Sequence, residues 1–252
     1  MQEITSRKNP LVQHLKKLGM DRAYRDACGE FLCDGLKLYQ EARLCGAEVT
    51  LVATSRRELL DGVCRQEMLV PEDVLESISP MKTPQPLLFA CKTPHLTPKA
   101  EPSRVLVLDG VQDPGNVGTL LRSARAFAVD QAILIGACAD LHSPKTVRAA
   151  MGALFRQRVC EMSIDELVDY VNKNEIVLLG AALAEDSRDL REPLPERAAV
   201  AIGSEGQGLS EALLAHCRGT VRIPMEAASE SLNAGVAGSI VMWEMYRRRE
   251  EC

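Results

Sequence analysis

Behind Asn9 and Pro10, apolar side chains recur at Leu11, Val12, Leu15 and Leu18, the spacing of one helical face, with lysines on the opposite side. Asparagine before proline is an N-cap followed by the residue that helices accept at their first position. From Gly29 onward the period changes. Glu30-Phe31-Leu32-Cys33 reads as a short strand, Leu36 to Leu44 as a helix and Val49 to Ala53 as a second strand, with further alternation at 57–63, 68–70, 73–78 and 87–90. This predicts a small α/β domain over residues 1–93. Residues 94–103 hold Pro94, Pro98 and Pro102 and no periodicity, and read as a semi-stiff linker. Over 104–252 the alternation resumes: strand 104–108, helix 116–128, strand 132–135, helices 145–151 and 165–172, strands 176–179 and 200–202, helix 210–216, strand 221–223, and a closing helix starting near 232. Strands that are apolar throughout and separated by helices predict a parallel sheet covered on both faces.

Composition narrows the function more than the fold. No run of about 18 apolar residues is present and the first eight residues lack the apolar core of a signal peptide, so a cytoplasmic protein with no membrane span is expected. Nine scattered cysteines, none spaced C-x-x-C, read as reduced structural thiols. Four histidines with no H-E-x-x-H or paired Cys/His cluster point to no metal. A net charge of −5 argues against indiscriminate coating of nucleic acid. Yet the first 25 residues carry Arg7, Lys8, Lys16, Lys17, Arg22 and Arg25 against only Glu3 and Asp21, either a solvated helix face or an RNA contact.

Three junctions carry the candidate chemistry. In the first, the strand ending at Leu108 passes Asp109-Gly110, a turn at Asp113-Pro114-Gly115, and a helix through Leu120, Leu121 and Ala124. Asn116 lies in that turn and Arg122 nearly two helical turns beyond it, where a guanidinium fork calls for a carboxylate or phosphate. In the second, Val200-Ala201-Ile202 runs into Gly203-Ser204-Glu205-Gly206-Gln207-Gly208, whose glycines let a ligand approach the main chain. It is neither a dinucleotide fingerprint nor a phosphate loop, and Glu205 reads either as a helix-start acid or as a ligand anchor. The third runs from Arg222-Ile223-Pro224-Met225 to Ser231-Leu232-Asn233-Ala234-Gly235-Val236-Ala237-Gly238. Capping accounts for Ser231 or Asn233, but not readily for both. The bare face of small residues that follows suits a close helix crossing, within the domain or between copies, or a planar ligand.

Taken in order, D-P-G-N-V-G-T-L-L-R-S-A, I-G-S-E-G-Q-G-L and R-I-P-M…S-L-N-A-G-V-A resemble the three motifs of the SpoU/TrmH family of RNA ribose 2′-O-methyltransferases, in the SPOUT superfamily. M-G-A-L-F-R at 151–156 resembles the segment between the first two, and the likeness spans about residues 104–248. Residues 1–90 resemble, less tightly, the family's substrate-binding domain. The resemblance implies a C-terminal parallel-sheet domain with a deep trefoil knot, S-adenosyl-L-methionine held by main-chain groups of Gly203, Ile223 and Leu232, and a homodimer. It places Arg122, Asn116, Glu205, Ser231 and Asn233 in the catalytic neighbourhood, the last four orienting the arginine, the ribose and the cofactor loops. Arginine stays protonated in proteins, so Arg122 is expected to grip a phosphate and stabilise the developing alkoxide rather than act as base. Motif three commonly reads S-L-N-V-S-V-A, and Ala234-Gly235 depart from it, which puts the packing of the following helix in question.

The implied substrate is RNA, ribosomal large-subunit RNA first and transfer RNA second. With aromatic residues at 4%, shape and phosphate contacts are expected to select it more than base stacking. A non-catalytic RNA-binding protein on the same fold is the alternative, opposed by the five polar residues kept together. A nucleotide-dependent oxidoreductase is a third reading, opposed by the glycine spacing at 203–208.

Overall fold

The computed structural model describes residues 2–247, apart from Lys82, His95, Glu185 and 227–230; the middle of the third motif therefore lies outside the described residues. The chain divides into two compact units, one of Met1–His95 with Asp140–Phe155, the other of Leu96–Ala139 with Arg156–Cys252.

The first unit runs β1 (Gln2–Glu3), α1 (Pro10–Met20), α2 (Arg22–Cys28), β2 (Glu30–Asp34), α3 (Leu36–Leu44), β3 (Val49–Thr54), β4 (Glu67–Leu69), α4 (Glu72–Ile78) and β5 (Leu87–Lys92). Asn9 caps α1 by accepting the Leu11 N–H at 2.9 Å, and Val12, Leu15 and Leu18 go into the core as their spacing predicts. The sheet order is β1-β4-β3-β5-β2. It is mixed: β1, β4 and β3 pair in parallel, while β5 is antiparallel to both β3 and β2. The hydrophobic pattern had not revealed α2. Asp21 ends α1 in an extended conformation and caps α2 at Tyr24 N, so two short helices occupy a stretch without a seven-residue apolar period.

The second unit begins with β6 (Arg104–Asp109), α5 (Pro114–Ala126) and β7 (Gln131–Ile135). Then α6 (Pro144–Ala150) goes to the first unit, where the buried Arg25 guanidinium pairs with Asp140 and Phe31 lies 4.9 Å from His142 and 6.1 Å from Phe155, centroid to centroid. The chain returns with β8 (Val159–Glu161), α7 (Ile164–Lys173), β9 (Val177–Ala181), β10 (Arg188–Asp189), β11 (Ala198–Gly203), α8 (Glu211–Leu214), β12 (Thr220–Arg222) and α9 (Ala234–Arg247). All seven strands are parallel, in the order β10-β12-β9-β11-β6-β7-β8, as the unbroken apolar runs predict.

The structure refines the boundaries read from the sequence. The domain limit is not one point: residues 140–155 pack with the N-terminal unit although they lie inside the C-terminal stretch. The proline-rich segment, read as a semi-stiff linker, is tied down at two points: Lys99 Nζ meets Asp130 Oδ1 at 2.7 Å and Arg158 donates to Thr97 O at 2.8 Å. Helix α5 also starts earlier than residue 116, since Asp113 is its cap and Pro114 its first residue; the apparent turn is the helix start itself.

Candidate active site

The site grows from the carboxyl end of β6. Asp109 is buried there, and its Oδ2 accepts the Ser210 N–H at 2.7 Å, which ties the end of β6 to the start of α8. Gly110 follows with φ +63°, a conformation that an L side chain rarely adopts. The chain then reaches α5, where the Asn116 N–H donates to Asp113 Oδ1 at 2.8 Å and the Asn116 side chain is buried.

That buried amide joins all three motifs. Asn116 Nδ2 donates to Glu205 Oε1 at 2.7 Å, and Asn233 Nδ2 donates both to Glu205 Oε1 at 2.5 Å and to Asn116 Oδ1 at 3.0 Å. A carboxylate only accepts, so Glu205 fixes which end of each amide faces it. Asn233 also caps α9: its Oδ1 accepts the Val236 N–H at 3.2 Å and its carbonyl the Ala237 N–H at 2.9 Å. Capping thus explains Asn233 and leaves Ser231, which lines the cavity described next. Glu205 is no helix-start acid, because α8 begins six residues later under a Ser210 cap.

Arg122 stands apart from this cluster. It is exposed on α5, and its side chain makes no ion pair or hydrogen bond to another described residue. Six residues at about 100° each put it roughly 120° around the helix from Asn116. The expectation that Asn116, Glu205, Ser231 and Asn233 orient the arginine is therefore not met within one chain; the two asparagines and the glutamate hold one another instead.

Beside the cluster, at the carboxyl ends of β9, β11 and β12, lies a cavity of about 360 Å³. Gly203, Ile223 and Leu232 all line it, with Glu205 and Ser231 at its polar side and Leu209, Leu214, Val221 and Met225 among its apolar walls. The loop under it closes on itself, Ser204 N to Gly208 O at 3.0 Å and Gly208 N to Ser204 O at 2.9 Å. A Cβ on Gly203 would fall 2.1 Å from the Gly208 carbonyl carbon, so only glycine permits this closure.

A model of the SpoU rRNA Methylase family matches residues 103–243. The chain belongs to this family. Among its SpoU relatives, a Bacillus subtilis 23S rRNA (guanosine(2553)-2′-O)-methyltransferase, RlmP, is 32% identical over 97% of this chain and 99% of its own. A 23S rRNA (uridine(2479)-2′-O)-methyltransferase of Streptomyces viridochromogenes is 30% identical over 98% and 92%. The crystal structure of the SpoU methyltransferase AviRb from Streptomyces viridochromogenes, in complex with the cofactor AdoMet, superposes with a TM-score of 0.86 at 27% identity, covering 96% of this chain and 99% of that one.

Two features of this SpoU member were only partly legible beforehand. The small residues of α9 face α5 in the same unit: a Cβ on Gly235 would meet Asn233 Oδ1 at 3.1 Å and Asn116 Oδ1 at 3.2 Å, and one on Gly238 would meet Leu120 Cδ2 at 2.2 Å. Gly235 therefore leaves room for the amide cluster, while Ala234 lines the cavity. Asp109, which the sequence reading leaves just past the strand with no role, is the last residue of β6; its signal is an acid closing an otherwise apolar run just before a glycine.

Proposed function

We propose that this protein transfers a methyl group from S-adenosyl-L-methionine to a ribose 2′-hydroxyl of ribosomal RNA, large-subunit RNA being the first choice. The observation that carries the reading is the Asn116–Glu205–Asn233 clasp, which brings together three motifs distant along the chain beside one cavity that Glu205 itself lines. The cavity has the size and the apolar lining of a small-molecule site, and strand ends supply main-chain groups to it, which suits a nucleoside carrying an amino-acid tail. Gly203, Ile223 and Leu232 are the positions that would hold it, and when bound it supplies an electrophilic methyl group on a sulfonium.

The rest falls to side chains. Glu205 and the two amides keep the three loops in register, and Ser231 faces the cavity as a further hydrogen-bonding group. Arg122, charged and uncommitted among the described residues, offers its fork to the phosphodiester beside the target ribose and stabilises the alkoxide. Because a guanidinium keeps its protons, the hydroxyl proton leaves to a phosphate oxygen or to water.

We further infer that two copies pair through α9. Val236 and Trp243 are 49% and 48% exposed on that helix, and Phe127 and Tyr246 lie 5.7 and 6.2 Å from the Trp243 ring, which makes an apolar surface that a monomer has little reason to keep. Light scattering is expected to report a dimer for the native chain and a monomer for Trp243→Glu. We read the chain path as the family's trefoil knot, supported by β11 filling the gap between β6 and β9 and by α9 returning to α5 after β12 is laid beyond β9. We place the protein in the cytoplasm, a reading supported by the cysteines of the described residues, which are free thiols rather than disulfides.

The test is methyl transfer from labelled S-adenosyl-L-methionine to ribosomal and transfer RNA isolated from cells lacking the gene, followed by mapping of 2′-O-methyl positions. Incorporation at one ribose of large-subunit RNA is expected. Incorporation into transfer RNA alone would move the substrate, and cofactor binding by calorimetry with no transfer to any RNA would overturn the reading.

A further inference from the structure

The loop that follows β11 supplies six residues to the lining of the cofactor cavity: Gly203, Ser204, Glu205, Gln207, Gly208 and Leu209. It has little packing of its own. Residues 205–208 are exposed, and only Leu209 is buried, lying over Gly180, where a Cβ would stand 2.7 Å from Leu209 Cδ1. The pair of hydrogen bonds between Ser204 and Gly208 sets the curvature of the tip, but where the tip stands above the sheet depends on how the two feet of the loop are held.

Both feet meet one residue. At the first, β11 runs parallel to β6 with Gly203 opposite Asp109. At the second, the Asp109 side chain reaches across, and its Oδ2 accepts the Ser210 N–H at 2.7 Å. Asp109 is a fixed post for this purpose: its strand is paired on the other side too, with Asp109 opposite Ile135 of β7, and its side chain is short and buried. We propose that Asp109 is a positioning residue for cofactor binding. By clamping the second foot of the loop beside the first, it holds the main chain from Gly203 to Leu209 in the shape that accepts the nucleoside, and so sets the affinity for S-adenosyl-L-methionine, although its own side chain does not line the cavity. The inference rests on the proposed methyl transfer and deepens it, because the same loop carries Glu205, which holds Asn116 and Asn233. A tether outside the cavity acts on affinity through order: a loop that must be ordered on binding takes that cost out of the binding free energy, and a loop already ordered does not.

The test reads three quantities on the full-length protein: S-adenosyl-L-methionine affinity by calorimetry, RNA affinity by anisotropy without cofactor, and amide hydrogen exchange over residues 204–210. Asp109→Ala removes the acceptor. Ser210→Pro removes the N–H at a position whose φ of −66° already suits proline, and gives up the hydroxyl that caps α8, a loss that the melting temperature reads separately. Each variant is expected to bind the cofactor about tenfold or more weakly and to exchange faster across the loop by a similar factor, with RNA affinity unchanged. Asp109→Asn keeps an oxygen facing the same N–H and should recover most of the affinity. In turnover, KM for the cofactor rises in Asp109→Ala, and most of kcat returns at saturating cofactor. Cofactor affinity within about twofold of native in Asp109→Ala, equal losses in Asp109→Asn and Asp109→Ala, or RNA affinity falling in step with cofactor affinity would each overturn the proposal. Failure of both Asp109→Ala and Ser210→Pro to fold would overturn it too, by making Asp109 a residue of folding alone. Because exchange is read with neither cofactor nor RNA present, a native chain that methylates no RNA would count against the catalytic reading and leave the clamp to be judged on the loop itself.

Discussion

Asn116 makes hydrogen bonds to residues 89 and 117 positions away, and no local pattern announces that. Its candidacy was legible through the resemblance of D-P-G-N-V-G-T-L-L-R-S-A to the family's first motif; its partners were not, since convergence is set by the crossing of strands rather than by spacing. Asn116→Ala leaves the Glu205 carboxylate short of one donor and the Asn233 amide short of one acceptor. We expect a stability loss of about 1–3 kcal/mol by denaturant titration and at least a tenfold fall in methyl transfer. Arg122 behaves differently, as it supports nothing in the fold. Arg122→Lys keeps the charge and loses the fork, so an unchanged melting temperature with turnover down at least tenfold is expected, and near-normal turnover would remove Arg122 from the proposed chemistry.

Among elements, α3 matches its predicted bounds, Leu36 to Leu44, and α1 starts where Asn9-Pro10 predicts. The strands β8 and β10 escaped notice for a physical reason: three and two residues long, and mostly exposed or half-buried, they carry too few apolar positions to show a period. The crossing of α9 on α5 was visible only as a run of small residues. Ser123 and Ser239 hydroxyls meet there at 2.7 Å, and the fully buried Leu120 occupies the space in which a Cβ on Gly238 would sit. Gly238→Val is accordingly expected to cost about 1–3 kcal/mol through overpacking, read as an earlier unfolding midpoint, and to weaken cofactor binding because Ala234 and Ala237 of the same helix line the cavity.

For the whole molecule, the assignment of residues 140–155 was the part that sequence order concealed, because the hydrophobic pattern says that an element is amphipathic without saying which core receives it. Burial would raise the Asp140 carboxyl, but the Arg25 guanidinium and the His142 N–H override it and hold the group below its ordinary 3.8. Burial lowers His142 below 6.5, and the attraction of Asp140 only partly offsets it. Both folded-state values lie below the unfolded ones, so both contributions are present at high pH and fade on acidification. Unfolding free energy should therefore decline first below about pH 6.5 and again below about pH 3.8, and His142→Phe should flatten the first decline. Equal slopes in the variant and the native chain would rule out His142 as the source.

The excursion of α6 also sets an order of events on the ribosome. Residues 1–95 emerge first, yet Phe31 and Arg25 must wait for Phe155 and Asp140, which follow only after β6, α5 and β7 have been synthesised. A nascent chain stalled at the proline-rich segment therefore carries an unfinished N-terminal core, and its protease resistance should appear only once the codons beyond 155 have been translated and cleared the exit tunnel.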